Sequence, residues 1–455
     1  MENLDEQTLP AWWKDVQKAL INEQMDTFRA EFLELHPYDQ TQIFLAQNKN
    51  ERMLIYTYLS PEEMAEILEN IDLDELDPIL TEMDARYASQ VLGEMSTDDA
   101  VDVLNTLDQN EVASFLTIME KEDAEDIKGL LHYEEKTAGS IMTTEFIAIE
   151  ATMSIRESML HLRKEAPDAE TIYYVYVVNE DKKLVGVISL RDLIISEEDW
   201  TVADVMSDRI VSVSVGEDQE GAAKMMRDYD LLALPVVDFQ QHLLGIITVD
   251  DIMDVIDEEA SEDYSKLAAV SGMEKPDTSA WIAAKKRLPW LIILLFLGML
   301  TASLIGRFEK ALEQVPLLAV FIPLIAGMAG NTGTQALAVA VRGIATGESK
   351  NDGQVRILMR EALTGLITGI SCGVVITIVI YLWQGEFYLG MLVGLSILGS
   401  LVVATIAGSF IPILMHKLHV DPAVASGPFI TSINDIISIL IYFGMATIFM
   451  DLLIS

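Results

Sequence analysis

Two hydrophobic rhythms divide the chain. From residue 64 to about 131 apolar side chains return every twelve residues, with Leu68, Leu80, Leu92, Leu104 and Leu116 in one column and Ile67, Ile79, Val91, Val103, Phe115 and Ile127 in another. Two further columns run through Ile71, Met83, Met95, Leu107 and Met119 and through Met64, Leu76, Ala88, Ala100, Val112 and Ala124. Each unit fits a helix of about two turns plus a turn, opened by a hydroxyl ahead of acids, as in Ser60-Pro61-Glu62-Glu63 and Ser96-Thr97-Asp98-Asp99. Such a unit hides its apolar side only by stacking on a neighbour, so the pattern predicts an all-α helical-repeat domain over residues 1–137 with an acidic outer face. Residues 1 to about 55 lie outside these columns.

After Lys285-Lys286-Arg287 the rhythm gives way to long apolar runs at roughly 288–306, 315–341, 359–383, 387–415 and 422–453. Each is long enough to cross a hydrocarbon layer of about 30 Å, which predicts a polytopic α-helical membrane domain of five spans over residues 281–455. Basic residues concentrate on the cytoplasmic side of membranes. Lys285, Lys286, Arg287, Arg342, Lys350, Arg356, Arg360 and Lys417 fall in connections of one side, and Arg307 and Lys310 in those of the other. The bias places the first 280 residues in the cytoplasm and the C-terminus outside the cell membrane.

Between these regions a second repeat occupies residues 141–258. Ile141-Met142-Thr143 with Ile149 parallels Val205-Met206-Ser207 with Val213, and Gly186-Val187-Ile188-Ser189-Leu190-Arg191-Asp192 parallels Gly245-Ile246-Ile247-Thr248-Val249-Asp250-Asp251. Apolar strand-like stretches, Tyr174–Val178 and Leu234–Val237, precede the second motif of each pair.

Charge sharpens this division. Residues 1–280 hold 63 of the 72 acidic residues but 20 of the 30 basic ones, while the membrane part is nearly neutral. So acidic a surface repels phosphate and anionic lipid, which excludes nucleic acid as a partner and favours cations. The single cysteine, Cys372, lies in an apolar run, so no intramolecular disulfide or cysteine metal site is expected. The opening Met-Glu-Asn-Leu-Asp-Glu-Gln predicts no cleavable signal peptide.

Asp435 is the residue that most needs a reason. A carboxylate at the centre of an inserted helix costs about 2.5–3.5 kcal/mol and usually faces a partner, a cavity or an ion path. Counted from Pro422 it lies about 13 residues into the span, or roughly 20 Å at the helical rise, near mid-membrane. Gly427-Pro428 reads as a helix disruption, and Thr431, Ser432 and Asn434 approach the carboxylate, suggesting a wet lumen. The second span carries its own polar stretch, Gly330-Asn331-Thr332-Gly333-Thr334-Gln335, in which the glycines equally suit close packing. Pore candidates are therefore Asp435, Asn434, Thr431, Asn331, Thr334 and Gln335.

Near residue 258 the carboxylates Asp250, Asp254, Glu258 and Glu262 recur every four residues, forming one helical stripe that cations would relieve. A solvated helix face accounts for the same spacing.

The second repeat resembles a tandem pair of CBS domains, at residues 138–200 and 201–257, an α/β regulatory module that often binds adenine nucleotides. That likeness implies ATP as a candidate ligand, with Ser189 and Asp192, and Thr248 and Asp251, approaching phosphate and ribose. Acidic helical repeats, a CBS pair, an acidic connecting helix at 258–280 and five spans bearing Gly-Asn-Thr-Gly-Thr-Gln and Asn-Asp together resemble the MgtE family of magnesium channels. The resemblance implies a multidomain homodimer in the lipid bilayer that imports Mg2+ and is no enzyme, with Asp435 of each chain lining a shared pore. It further implies that cytosolic Mg2+ closes the gate by neutralising Glu94, Asp98, Asp250, Asp254, Glu258, Glu262 and Asp421. A cation-coupled secondary transporter of divalent metals is the alternative reading, and the sequence shows no nucleophile elbow, phosphate loop or zinc-protease motif.

Overall fold

A computed structural model describes residues 11–271, 279–345, 353–418, 420–422 and 425–454. Lys350 and the far part of the 258–280 connection lie outside them. The chain forms two compact units, residues 1–256 and 257–455.

The first unit opens with ten short helices: α1 (Ala11–Ile21), α2 (Met25–Phe32), α3 (Pro37–Ala46), α4 (Lys49–Tyr58), α5 (Pro61–Leu68), α6 (Leu73–Glu82), α7 (Ala85–Glu94), α8 (Thr97–Asn105), α9 (Gln109–Ile118) and α10 (Lys121–Leu130). From α5 to α10 the first residues stand twelve apart, as the columns demand. Alternate helices pack on each other, α5 on α7 on α9 and α6 on α8 on α10, so the solenoid is two interleaved stacks. Met64, Ile67, Ala88, Leu92 and Ala100 are buried in its core. Ser60 caps α5 reciprocally, its hydroxyl accepting from Glu63 N at 3.2 Å while its own N–H donates to the Glu63 carboxylate at 2.8 Å.

Residues before the columns join the same stack. Phe28 and Phe32 of α2 are buried and stacked at 4.8 Å. Arg29 binds Glu63 of α5 at 2.6 Å, and Arg52 of α4 binds Glu82 of α6 at 2.8 Å.

The α/β part builds two three-stranded sheets of the same order. β1 (Ala148–Glu150) pairs parallel with β2 (Tyr174–Val178), which pairs antiparallel with β3 (Leu184–Ser189). Between β1 and β2 lies α11 (Ile155–Glu165), and α12 (Leu190–Ile195) and α13 (Val202–Val205) follow β3. The second module repeats the plan with β4 (Val213–Ser214), α14 (Gln219–Tyr229), β5 (Ala233–Val237) and β6 (Leu243–Thr248). The two leading motifs are exchanged: Thr143 bridges Ile246 of the second hairpin, and Ser207 bridges Val187 of the first. The acidic stripe continues directly from β6 on α15 (Val249–Leu267), so the connecting helix begins inside the second module.

The second unit holds α16 (Ala280–Gly306), α17 (Glu309–Gln314), α18 (Leu318–Ala345), α19 (Gly353–Gln384), α20 (Phe387–Lys417) and α21 (Gly427–Ile454). All but α17 are long and apolar enough to span a membrane. The crossing of α19 and α20 depends on glycine: a Cβ on Gly373 would come within 2.7 Å of the Gly394 carbonyl oxygen. At the start of α21 the structure corrects the sequence reading. Gly427-Pro428 opens the helix instead of breaking it, because a proline in the first turn gives up only an N–H that has no helical partner. Asp435 therefore sits eight residues into α21, or about 12 Å from its beginning, where the count from Pro422 gave 13.

Candidate functional site

On α21 the Asp435 carboxylate is half-buried, and among the described residues no ion pair or side-chain hydrogen bond engages it. Ser438 donates to its backbone carbonyl at 3.0 Å, so the next turn is anchored without using the carboxylate. The other pore candidates divide. Asn331 and Gln335 are exposed, four residues apart on one face of α18. Thr334 is half-buried, and its hydroxyl stays in its own helix, donating to Gly330 O at 3.0 Å and Asn331 O at 2.9 Å. The Thr431 methyl packs over Gly330. Asn434 is buried between helices and does not share the Asp435 face.

A second constellation lies in the first unit, where α8 meets the α/β modules. Asp98 is 8% exposed, and among the described residues its Oδ1 has no hydrogen-bond partner. Burial, followed by repulsion from Asp251, Asp99 and Glu170, pushes its pKa well above the carboxylate range. Burial first and nearby acids second bring Glu170 up to about 7, and burial brings Asp99 to about 7 as well, against the hydrogen bond that Ser96 donates to it. Burial also raises the Glu145 carboxyl, against the hydrogen bonds that Thr97 donates to it from its hydroxyl at 3.0 Å and its N–H at 3.2 Å. Alongside is a cavity of about 250 Å³ lined by Thr97, Asp123, Asp126, Glu145, Glu165 and Asp168 among others. Glu94 is exposed nearby on the same solenoid.

These are hard oxygen donors, the set that suits Mg2+ or Ca2+, and Asp98 Oδ1 is a buried acceptor lacking a donor. Among the described residues, however, no three acidic or histidine side chains converge closely enough to hold a metal ion. The arrangement fits an ion that keeps most of its water and is held through carboxylates in its outer shell.

Along α15, Asp250, Asp254 and Glu258 are exposed, whereas Glu262 is half-buried. Lys266, one turn further on, binds Glu262 at 2.7 Å and Asp421 at 2.6 Å, the latter in the segment leading to α21. Burial lowers the Lys266 pKa, but the bonds from Asp421 and Glu262 outweigh it and the net shift is upward. Burial and then Asp421 raise the carboxyl of Asp263.

At the nucleotide candidates each hydroxyl is turned onto its own aspartate. Ser189 Oγ donates to Asp192 at 2.6 Å while capping α12, and Thr248 makes a short bond to Asp251. Asp251 therefore belongs to the acidic constellation as well. Sequence reading did not find Asp99, Glu145 or Glu170 as members of this cluster. Asp99 stood in the quoted capping motif, but the other two carried no signal, because only the meeting of solenoid and modules brings them together.

Comparison with known proteins bears on the family of the chain. A model of the divalent cation transporter MgtE matches residues 322–445, one of the MgtE intracellular N domain matches 35–136, and the CBS domain matches 138–198 and 202–258. The magnesium transporter MgtE of Enterococcus faecalis is 54% identical over 435 residues, covering 95% of this chain and 96% of that protein. Its counterpart in Bacillus subtilis is 42% identical, covering 93% and 94%. The crystal structure of the soluble part of a magnesium transporter is similar with TM-score 0.54 at 49% identity, over 55% of this chain and 98% of that one. The cytosolic domain of the Mg2+ channel MgtE in complex with ATP gives 0.51 at 35% identity, over 53% and 99%.

Proposed function

This chain belongs to the MgtE family of magnesium transporters, and from that membership we propose that it conducts Mg2+ as a channel, with Asp435 the ion-binding acid and the acidic soluble part its magnesium sensor. It is a membrane-embedded protein with five candidate spans, and Mg2+ is the transported ion. The observation that carries the proposal is the Asp435 carboxylate, engaged by no cation among the described residues and set within a membrane-length helix whose other acid, Asp451, lies at its far end.

Mg2+ gives up its water reluctantly, so a carboxylate can bind it through that water without a full protein cage. Two copies of the chain facing across a two-fold axis would bring two Asp435 side chains to one ion, with Asn331 and Gln335 of α18 lining the approach. The homodimer also shares the cost of buried charge between two chains.

Closure by cytosolic Mg2+ follows from the acids of the first unit. Asp98, Asp251, Asp99 and Glu170 repel one another, so a divalent cation among them favours the packed arrangement and its absence loosens it. Glu94, Asp250, Asp254, Glu258, Glu262 and Asp421 extend the same response along the solenoid and α15. The loop cations orient this sensor toward the cytoplasm of the cell membrane. The ATP complex of the similar cytosolic domain supports an adenine nucleotide at the modules, where the Ser189–Asp192 and Thr248–Asp251 pairs would part to receive it.

The deciding variant is Asp435→Asn in purified protein reconstituted into liposomes. Mg2+ flux is expected to fall to background while the dimer still assembles; normal flux would remove Asp435 from the ion path.

A further inference from the structure

The buried stripe of α21 includes Gly427, Ile430, Asn434, Ser438, Tyr442 and Ala446, the spacing of one helix face. Asn434 is its polar exception. It is 1% exposed, and among the described residues neither Oδ1 nor Nδ2 has a hydrogen-bond partner. Its amide is aimed at Gly333 of α18, where an added Cβ would run into Nδ2 before any other atom. One turn earlier, Gly330 leaves the same kind of room for Thr431. Asp435 follows Asn434 at about 100° of helix rotation, so the seat of one side chain sets the direction of the other.

A buried carboxamide with no bond made adds nothing to stability, since an apolar side chain of the same shape would avoid the desolvation loss. Packing alone leaves Asn434 unexplained. What it fixes is rotation: with the amide in the Gly333 notch, α21 cannot turn about its axis without driving Asn434 into the α18 backbone. We propose that Asn434, seated on Gly333, is the positioning and specificity-determining residue for Asp435, setting the angle at which that carboxylate meets a hydrated divalent cation. The proposal rests on Asp435 being the ion-binding acid. Mg2+ demands near-ideal octahedral geometry and keeps its water, so a misaimed carboxylate penalises it more than Mn2+, a less exacting ion.

The test uses full-length protein in liposomes, with Mg2+ and Mn2+ fluxes measured separately at matched protein for Asn434→Leu, Asn434→Ser, Gly333→Ala and the double variant Gly333→Ala with Asn434→Ser. Asp435→Asn runs in parallel. Both Asn434 variants are expected to shift the flux ratio toward Mn2+ by roughly tenfold, the low end of a methylene-sized misfit. Gly333→Ala should lose flux for both ions, and the double variant should recover it with the altered ratio. An unchanged ratio in both Asn434 variants, with Asp435→Asn inactive, overturns the proposal alone. If Asp435→Asn conducts normally, the reading of Asp435 falls and the proposal with it. Should Gly333→Ala fail to fold, the two Asn434 ratios still decide.

Discussion

Lys266 and Asp421 are joined at 2.6 Å across 155 residues of sequence, Lys266 near the end of the acidic helix α15 and Asp421 ahead of α21, which carries Asp435. With Glu262 on its other side at 2.7 Å, this ammonium bridges the two carboxylates.

The first prediction concerns that latch. Lys266→Met should loosen the hold of α15 on the entrance to α21 and raise the cytosolic Mg2+ needed for half-inhibition. Pairs about a third exposed contribute about 0.5–1 kcal/mol, so the expected shift is roughly two- to fivefold. Currents recorded across a series of Mg2+ concentrations check it, and an unmoved midpoint would remove Lys266 from the gate.

A second prediction comes from the raised carboxyls. A carboxyl with a higher pKa folded than unfolded binds more protons in the folded state; its contribution is complete below the unfolded pKa and is lost as pH rises through the folded one. With Asp99 and Glu170 brought up to about 7, the window runs from about pH 4 to about pH 7. The Mg2+-free protein should therefore lose thermal stability as pH rises through that window, and millimolar Mg2+ should flatten the loss. Scanning calorimetry at several pH values with and without Mg2+ reads both, and identical pH profiles would count against cation binding there.

Asp98 gives the third. Asn at this position removes a carboxyl whose ionisation is opposed by burial first and by Asp251, Asp99 and Glu170 next, imitating its neutralised form. Asp98→Asn should protect the soluble half from protease without Mg2+, and should raise its Mg2+-free melting temperature by on the order of 2–4 °C. Cleavage as fast as in the unaltered protein would show that Asp98 does not drive the compaction.

Much of this architecture was legible in the chain. The twelve-residue columns place α5 to α10, because each helix must bury the same few positions against the next but one. The CBS pair follows from duplicated motifs, although the exchange of Thr143 and Ser207 between hairpins appears only in the strand bridges. Helices α1 to α4 escaped the periodicity because their register is held by tertiary pairs such as Arg29 with Glu63. The start of the helix that carries Asp435 was not legible, because Gly427-Pro428 looks like a break when it is a helix start. Asn434 was grouped with the pore residues by its polarity, and only its burial against Gly333 separates it from Asp435.

The most direct measurement of the central claim is current through purified protein in a planar bilayer, with Mg2+ varied independently on the two sides. Unitary Mg2+ current steps are expected, suppressed when Mg2+ reaches millimolar levels on the side bearing the soluble domains and unaffected by the same addition opposite. Flux without unitary steps, or steps indifferent to Mg2+ on the soluble side, would contradict it.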